Sequence, residues 1–443
     1  MNNAAFSLIK RAIAGRALVS LMSNAAIYSV SNILNGLLPF LLLPILTRAL
    51  SPQEYGVIAM FNTLLGILAA FTGLSVQGAV NSRYASRDNV DFSNYVGASL
   101  WVLGVSTSVT AALVALVAPE LSKWIAVSPF WLLSAVAVSC ASFVSQIRLG
   151  VWLMERKPIQ YGVFQVSLSG VNCLLSLTLV LWVERSAEGR LWGQSLSTLL
   201  YGALALVSLM RGGWIDMRLN TNYMREIFRY GIPLVPHALG GFLLALADRF
   251  VANERLGLQA AGVYMVAAQL GMAMAMIADA FNKAFVPWLF ENLTASGPRQ
   301  KQLIVRGTWG YFICALIVAG GIAACAPQII LICAGPAYGD AAGALGWIAL
   351  GQAFGGMYLM VTNYIFFTRK TMRLGVYTLA AGAIGVGSSW WLAPSMGVAG
   401  IGVGFALGMA AKFLLTWRLA QRVYPMPWFP WCKKSRTVGV NDA

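Results

Sequence analysis

Charge is scarce in this chain of 443 residues: Asp, Glu, Lys and Arg make up 10% of it, 58% is hydrophobic, and the mean hydropathy is +0.71. A soluble globular domain carries about 25% charged residues, so that class is excluded. Acids are scarcer than bases, 15 against 31, and the net charge is +16. There is one histidine, His237. The segments between apolar runs are short and lack paired acids with a histidine, so an enzyme such as a membrane glycosyltransferase, polymerase or ligase has little from which to build a catalytic site. The six cysteines show neither metal-ligand nor paired spacing, and Cys140, Cys173, Cys314, Cys325 and Cys333 lie in or beside apolar runs. They read as packing residues, and no metal or cofactor is expected. Alternating β-barrel segments are lacking as well. The cations sit in short loops between apolar runs, a topology signal rather than a nucleic-acid face.

What is present is apolar length. Residues 28–71 hold two apolar runs interrupted by Thr47-Arg48-Ala49-Leu50-Ser51-Pro52-Gln53-Glu54-Tyr55-Gly56. Each exceeds the roughly 18 to 20 residues that cross about 30 Å of hydrocarbon as a helix. Helices satisfy their own backbone in lipid and open loops cannot, so the fold class expected is an all-α polytopic membrane protein. Apolar runs between charged loops give twelve transmembrane spans, near 26–47, 56–77, 95–117, 130–154, 160–183, 190–210, 229–250, 260–286, 308–325, 341–367, 373–393 and 397–420. Residues 327–338 are too brief to span and are expected to cap the ninth.

The turn after the first span has a counterpart about 200 residues on. Asp248-Arg249 again closes an apolar helix, and Gly262-Val263-Tyr264 opens the next. Ala118-Pro119-Glu120-Leu121 and Ala326-Pro327-Gln328-Ile329 fall after the third span of each half. A repeat in matched order predicts a two-halved transporter of two pseudo-symmetric six-helix lobes. The expected division is a surface-lying amphipathic helix over 1–23, an N-lobe over 24–210, a linker over 211–228, a C-lobe over 229–421 and a tail over 422–443. With both termini cytoplasmic, 22 of the 31 cations fall in cytoplasmic segments, the asymmetry that orients multi-pass proteins. Six fall in outer loops, Arg190 among them, and Arg148, Lys283 and Lys412 lie within spans.

Ionisable groups inside a bilayer are costly and tend to face a cavity, which makes them candidates for function. All seven acids of the first half fall in loops or at span ends, so its membrane core has no carboxylate. Arg148, about two helical turns before Glu155, either snorkels to the inner surface or faces a wet cavity. Asp279 and Lys283, at i and i+4, either form a local ion pair or place Lys283 on a substrate anion with Asp279 holding or coupling it. Arg48 and Arg249, at matched ends of the first and seventh spans, are interface anchors or cavity residues. His237 is a packed histidine or a proton relay. Polar uncharged residues within spans, such as Gln77, Gln146, Asn172, Gln194, Gln269 and Asn282, suit interhelical hydrogen bonds or sugar hydroxyls. Glycines crowding the last three spans allow close helix approach.

The Leu50-Ser51-Pro52-Gln53-Glu54-Tyr55-Gly56 turn resembles that near the start of polysaccharide-unit flippases, the Wzx-like branch of the multidrug/oligosaccharidyl-lipid/polysaccharide exporter superfamily. The segment from Asp248-Arg249 to Gly262-Val263-Tyr264 is similar to that family's second-half turn, as is Gly335-Pro336-Ala337-Tyr338. The resemblance covers nearly the whole chain. It implies two six-helix lobes around a central cavity and outward transfer of undecaprenyl-diphosphate-linked oligosaccharide across the bacterial inner membrane by alternating access. The implied partners are that glycan, membrane lipid, a polysaccharide polymerase and chain-length proteins. Arg48, Arg148, Arg249 and Lys283 are the candidate substrate contacts. A drug exporter of the same superfamily would place a carboxylate deep in a lobe, and a peptidoglycan-precursor flippase commonly has two further spans.

Overall fold

The computed structural model describes residues 27–84, 87, 90–295, 297–368 and 373–428, with only the backbone described for His237, Leu244 and Ala295. The expected surface helix over 1–23 and most of the tail over 422–443 lie outside the described residues. The chain runs through α1 (Ile27–Ala49), α2 (Pro52–Thr72), α3 (Val76–Tyr84), α4 (Phe92–Ile125), α5 (Pro129–Met154), α6 (Pro158–Thr178) and α7 (Ala187–Arg211). There follow α8 (Thr221–Gly231), α9 (Val235–Ala245), α10 (Ala247–Leu256), α11 (Leu258–Ala295), α12 (Pro298–Ala324), α13 (Ala326–Cys333), α14 (Ala341–Phe367), α15 (Leu374–Met396) and α16 (Val398–Val423). No strand occurs among the described residues.

Ten of these helices are long and apolar enough to cross a membrane, and the bent pair Thr221–Leu243 with Ala247–Leu256 makes an eleventh. The remaining expected span is α15, 23 residues long, which falls short of the others in hydropathy. The protein is an all-α polytopic membrane protein of two lobes. Its helices outrun the expected spans where polar residues extend a helix beyond the hydrocarbon. Arg299, Lys301 and Arg306, expected in a loop, occupy the first turns of α12. The seventh span is not one helix: α9 and α10 meet at Leu246 with a 54° bend. Pro119, expected after the third span, is carried inside α4, whereas its counterpart Pro327 begins the separate short helix α13.

The sequence motifs are caps and contacts. At Ser51 the side-chain hydroxyl accepts from the Glu54 backbone N–H, and Glu54 Oε2 accepts from the Ser51 backbone N–H at 2.8 Å. This capping box satisfies two otherwise orphaned donors, and Pro52 occupies the first helical turn where its missing N–H costs nothing. Tyr55 packs edge-on against Tyr338, with ring centroids 5.8 Å apart, and the Tyr338 hydroxyl donates to Leu50 O at 3.0 Å. The motif of the first half and the Gly335–Tyr338 motif of the second therefore meet at one end of the bundle. Beside them Gly56 and Gly262, matched residues of the repeat, bring α2 and α11 into backbone contact. A Cβ on Gly56 would lie 2.0 Å from Leu258 O, and one on Gly262 would lie 1.9 Å from Pro52 O.

One hydrophobic cluster at this end runs through both lobes, from Leu43, Ile58 and Leu132 to Tyr264, Tyr338 and Ile348. Toward the opposite end the lobes keep separate cores. One is built from α12, α14 and α16 around Phe312, Tyr364 and Phe413. The other is built from α3, α4 and α5 around Tyr95, Phe143 and Ile147, with Ile227 of α8 added to it. Apolar burial thus joins the lobes at one end, hereafter the sealed end, and leaves the other divided. Within the C-lobe, Gly385 and Gly408 let α15 and α16 touch through their backbones.

Candidate functional site

Two chambers lie between the lobes. The first, of about 240 Å³, sits just below the sealed end and is lined by Pro39 of α1, Tyr55 and Asn62 of α2, Arg190 of α7, Arg249 of α10, and Met265 and Gln269 of α11. Each lobe contributes an arginine. Arg190 is in the first turn of α7, where its Nη1 donates to Asn172 Oδ1 at 2.6 Å and to the Ser176 hydroxyl, both on α6. Arg249 Nη1 donates to Ala245 O at 2.6 Å and to Asp248 Oδ1 at 3.1 Å, within a pair whose side chains are only 6% and 10% exposed. Asp248 is held in turn by the Tyr264 hydroxyl at 2.5 Å. The matched Asp248-Arg249 and Gly262-Val263-Tyr264 segments are therefore one hydrogen-bonded unit at the sealed end.

These bonds commit Nη1 of each arginine and leave Nε and Nη2 without a hydrogen bond to protein among the described residues. A guanidinium presents five N–H donors in a planar fork, so with two spent at Nη1 each arginine still has three, on Nε and Nη2. No carboxylate lines it. Its other polar groups are partly engaged: the Tyr55 hydroxyl reaches Gln269 Oε1 at 3.3 Å, Gln269 Nε2 donates to Pro39 O at 2.6 Å, and Asn62 Oδ1 accepts from Gln194 Nε2 at 2.9 Å. Chemically the chamber is a donor-rich, carboxylate-free pocket suited to an anion.

The second chamber, of about 400 Å³, lies farther from the sealed end between α2, α3 and α5 of one lobe and α9 of the other. Its wall has Ser75, Gln77 and Gln146 as polar groups and Phe143 and Phe242 as rings, with small residues between them. Leu246, at the bend between α9 and α10, lines both chambers and rests against Gly66 of α2.

The residues singled out in the sequence are scattered relative to these chambers. Arg249 lines the first. Arg48 is exposed, and its guanidinium donates to Pro44 O at 2.7 Å and Ile332 O at 2.9 Å, tying the end of α1 to the end of α13. Arg148 is buried inside the N-lobe, where Nε donates to the Ser208 hydroxyl at 2.9 Å and the guanidinium stacks 4.2 Å from the Trp152 ring. Lys283 and Asp279 pair at 2.6 Å on an exposed face of α11, with side chains 64% and 51% accessible. His237 is in α9, and its side chain lies outside the described residues. Lys412 sits 4.0 Å from the ring of Tyr358 within the C-lobe.

Arg190 is not among the candidates the sequence singles out, because its charge pattern puts it in an outer loop. The structure corrects this: α7 begins at Ala187, and the side chain turns into the bundle. The available signal was Asn172 and Ser176, polar residues one helical turn apart in the preceding span, which form a ready acceptor pair.

Comparison with known proteins agrees with this architecture. The fold matches an inward-facing multidrug-resistance MATE family transporter of the MOP superfamily with a TM-score of 0.69, at 15% identity, covering 89% of this chain and 94% of that one. A protein of the Lsg locus of Haemophilus influenzae is 25% identical over 394 residues, 84% of this chain and 90% of the relative. An uncharacterized membrane protein of the same organism is 26% identical over 290 residues, 64% of this chain and 69% of the relative. Residues 21–293 match the model of the family described as polysaccharide biosynthesis protein, and the chain belongs to that family.

Proposed function

We propose that this protein is a flippase that carries an undecaprenyl-diphosphate-linked oligosaccharide from the inner to the outer leaflet of the bacterial inner membrane by alternating access. The observation that carries the reading is the pair Arg190 and Arg249, one from each lobe, with free donor edges lining one carboxylate-free chamber. A diphosphate cannot cross hydrocarbon unaided, and two guanidinium forks replace its water and counterions with directed, charge-assisted hydrogen bonds. In this reading both termini are cytoplasmic, so the sealed end lies outside and the divided end faces the substrate's source. An inside-negative potential favours outward movement of an anion by about 2.3 kcal/mol per charge at about 100 mV. The polyprenyl tail stays in lipid, and a polymerase with its chain-length protein receives the product.

Of the four cations first singled out, Arg249 keeps the substrate role. Arg48 is committed to two carbonyls, Arg148 to the interior of its lobe, and Lys283 pairs with Asp279 on an exposed face of α11 that lines neither chamber. A cation-coupled drug exporter is disfavoured by the same chamber, because a cationic drug or coupling cation would meet two arginines on its wall, while nearby Asp248 is already paired with Arg249.

The test is Arg190→Gln, Arg190→Lys and Arg190→Glu, read as surface polysaccharide in cells normalised to membrane protein level. Loss of a charge-assisted bond costs about 1.5–3 kcal/mol, so Arg190→Gln is expected to lower transfer by about tenfold or more. Arg190→Lys retains charge but loses the fork and falls between wild type and Gln, while Arg190→Glu abolishes export. Normal export by a well-expressed Arg190→Glu protein would reject the mechanism.

A further inference from the structure

The second chamber has no part in holding a diphosphate, because no cation lines it. Its chemistry is nevertheless specific. Gln77 Oε1 is buried and makes no hydrogen bond to protein, a cost of about 1–3 kcal/mol unless a ligand or water supplies a donor. Gln146 makes one long bond, 3.4 Å to the Ser142 hydroxyl, and its amide is otherwise open to the chamber. Phe143 and Phe242 supply apolar ring surface to the same space, and a volume of about 400 Å³ lies in the range of small-ligand pockets.

We propose that this chamber is a subsite for the uncharged sugar residues of the substrate, with Gln77 and Gln146 hydrogen-bonding hydroxyls and Phe143 and Phe242 carrying the apolar faces of the rings. The proposal rests on the flippase reading and deepens it. A sugar needs bidentate amide groups and flat apolar contacts without formal charge, which is what lines this space. The diphosphate and its first sugar are covalently adjacent, so their subsites must adjoin. They do, because Leu246 is a wall of both chambers. Leu246 also stands at the 54° bend between α9 and α10 and packs on Gly66, a position with no side chain to oppose it. One side chain at a helix break thus separates an amide-lined subsite from a guanidinium-lined one, and each takes the part of the substrate it matches.

The experiment uses the full chain in nanodiscs with two soluble probes. One is inorganic pyrophosphate. The other is the free glycan released by mild acid from the lipid-linked pool of the producing cells. Gln77→Leu and Gln146→Leu, singly and together, are expected to weaken glycan binding by about tenfold in the double variant and leave pyrophosphate binding unchanged. Arg190→Gln is expected to do the reverse. Gln77→Asn keeps an amide and retains part of the glycan affinity, and thermal denaturation checks that each variant is folded. Unchanged glycan affinity in the natively melting double variant overturns the subsite. So does loss of both probes on Arg190→Gln, which would mean one shared site. Pyrophosphate binding without glycan binding by the wild type sinks the subsite and leaves the flippase reading standing, whereas binding of neither sinks both.

Discussion

The seal between the lobes depends on two glycines, and Gly262→Ala puts a number on that dependence. An added Cβ at Gly262 would sit 1.9 Å from Pro52 O, 2.6 Å from the Gly56 amide nitrogen and 3.0 Å from Pro52 C. All three are backbone atoms, so no side-chain rotation relieves the overlap. Restoring even a tight contact of about 3.0 Å moves the two backbones apart by roughly 1.1 Å. Forced separations of packed elements cost about 1–3 kcal/mol. That cost falls only on the conformation sealed at this end, so the ratio of sealed to unsealed protein drops by about 5- to 150-fold. The assay is labelling of Asn62→Cys, which lines the arginine chamber, by a membrane-impermeant thiol reagent added at the sealed side, in a background freed of native cysteines. The sealed protein protects this position, and Gly262→Ala exposes it. Gly307→Ala, where an added Cβ meets nothing within 4 Å, serves as the control and leaves protection intact. Equal labelling of the Gly262→Ala and wild-type proteins, at equal expression, would show that the seal does not rest on this crossing.

Two further outcomes follow from the same geometry. Asp248→Asn removes the buried counter-charge of Arg249, a change that costs about 3–5 kcal/mol; the melting temperature should fall, and Asp248→Asn with Arg249→Met should recover much of it without recovering transport. If the double variant melts no higher than Asp248→Asn alone, the pair is not the source of the loss. Orientation is checked by single cysteines: Lys123→Cys and Asp340→Cys should label from outside, Asp216→Cys and Gln300→Cys from inside, and the opposite pattern at either pair would reverse the assignment.

Much of the fold was legible in the sequence because lipid leaves the backbone few choices. Uncharged runs of about 20 residues can only be helices there, and a repeated turn signals a repeated lobe. The capping box at Ser51 and Glu54 is a local feature, closed by residues three apart, so its motif could be read directly. Less was legible at the site. Arg190 looked like a loop residue because hydropathy counts a guanidinium against a span whatever accepts its hydrogen bonds, and its acceptors Asn172 and Ser176 lie on another helix. Arg48, Arg148, Arg249 and Lys283 were all visible as cations at or within spans. Their sequence contexts did not separate the one that lines the arginine chamber from three whose donors or charge are engaged elsewhere.

By itself, then, the sequence determined the helices, their pairing into two halves and the shortage of acid in the first half, since these follow from the solvation of each residue in its own segment. Tertiary structure alone decided that the matched glycines 56 and 262 would cross, that α9 would bend from α10 at Leu246, and that Arg190 and Arg249 would line one chamber from opposite lobes. Those outcomes depend on atoms brought together from positions tens to hundreds of residues apart, where the packing of the whole bundle sets which donor edges stay free.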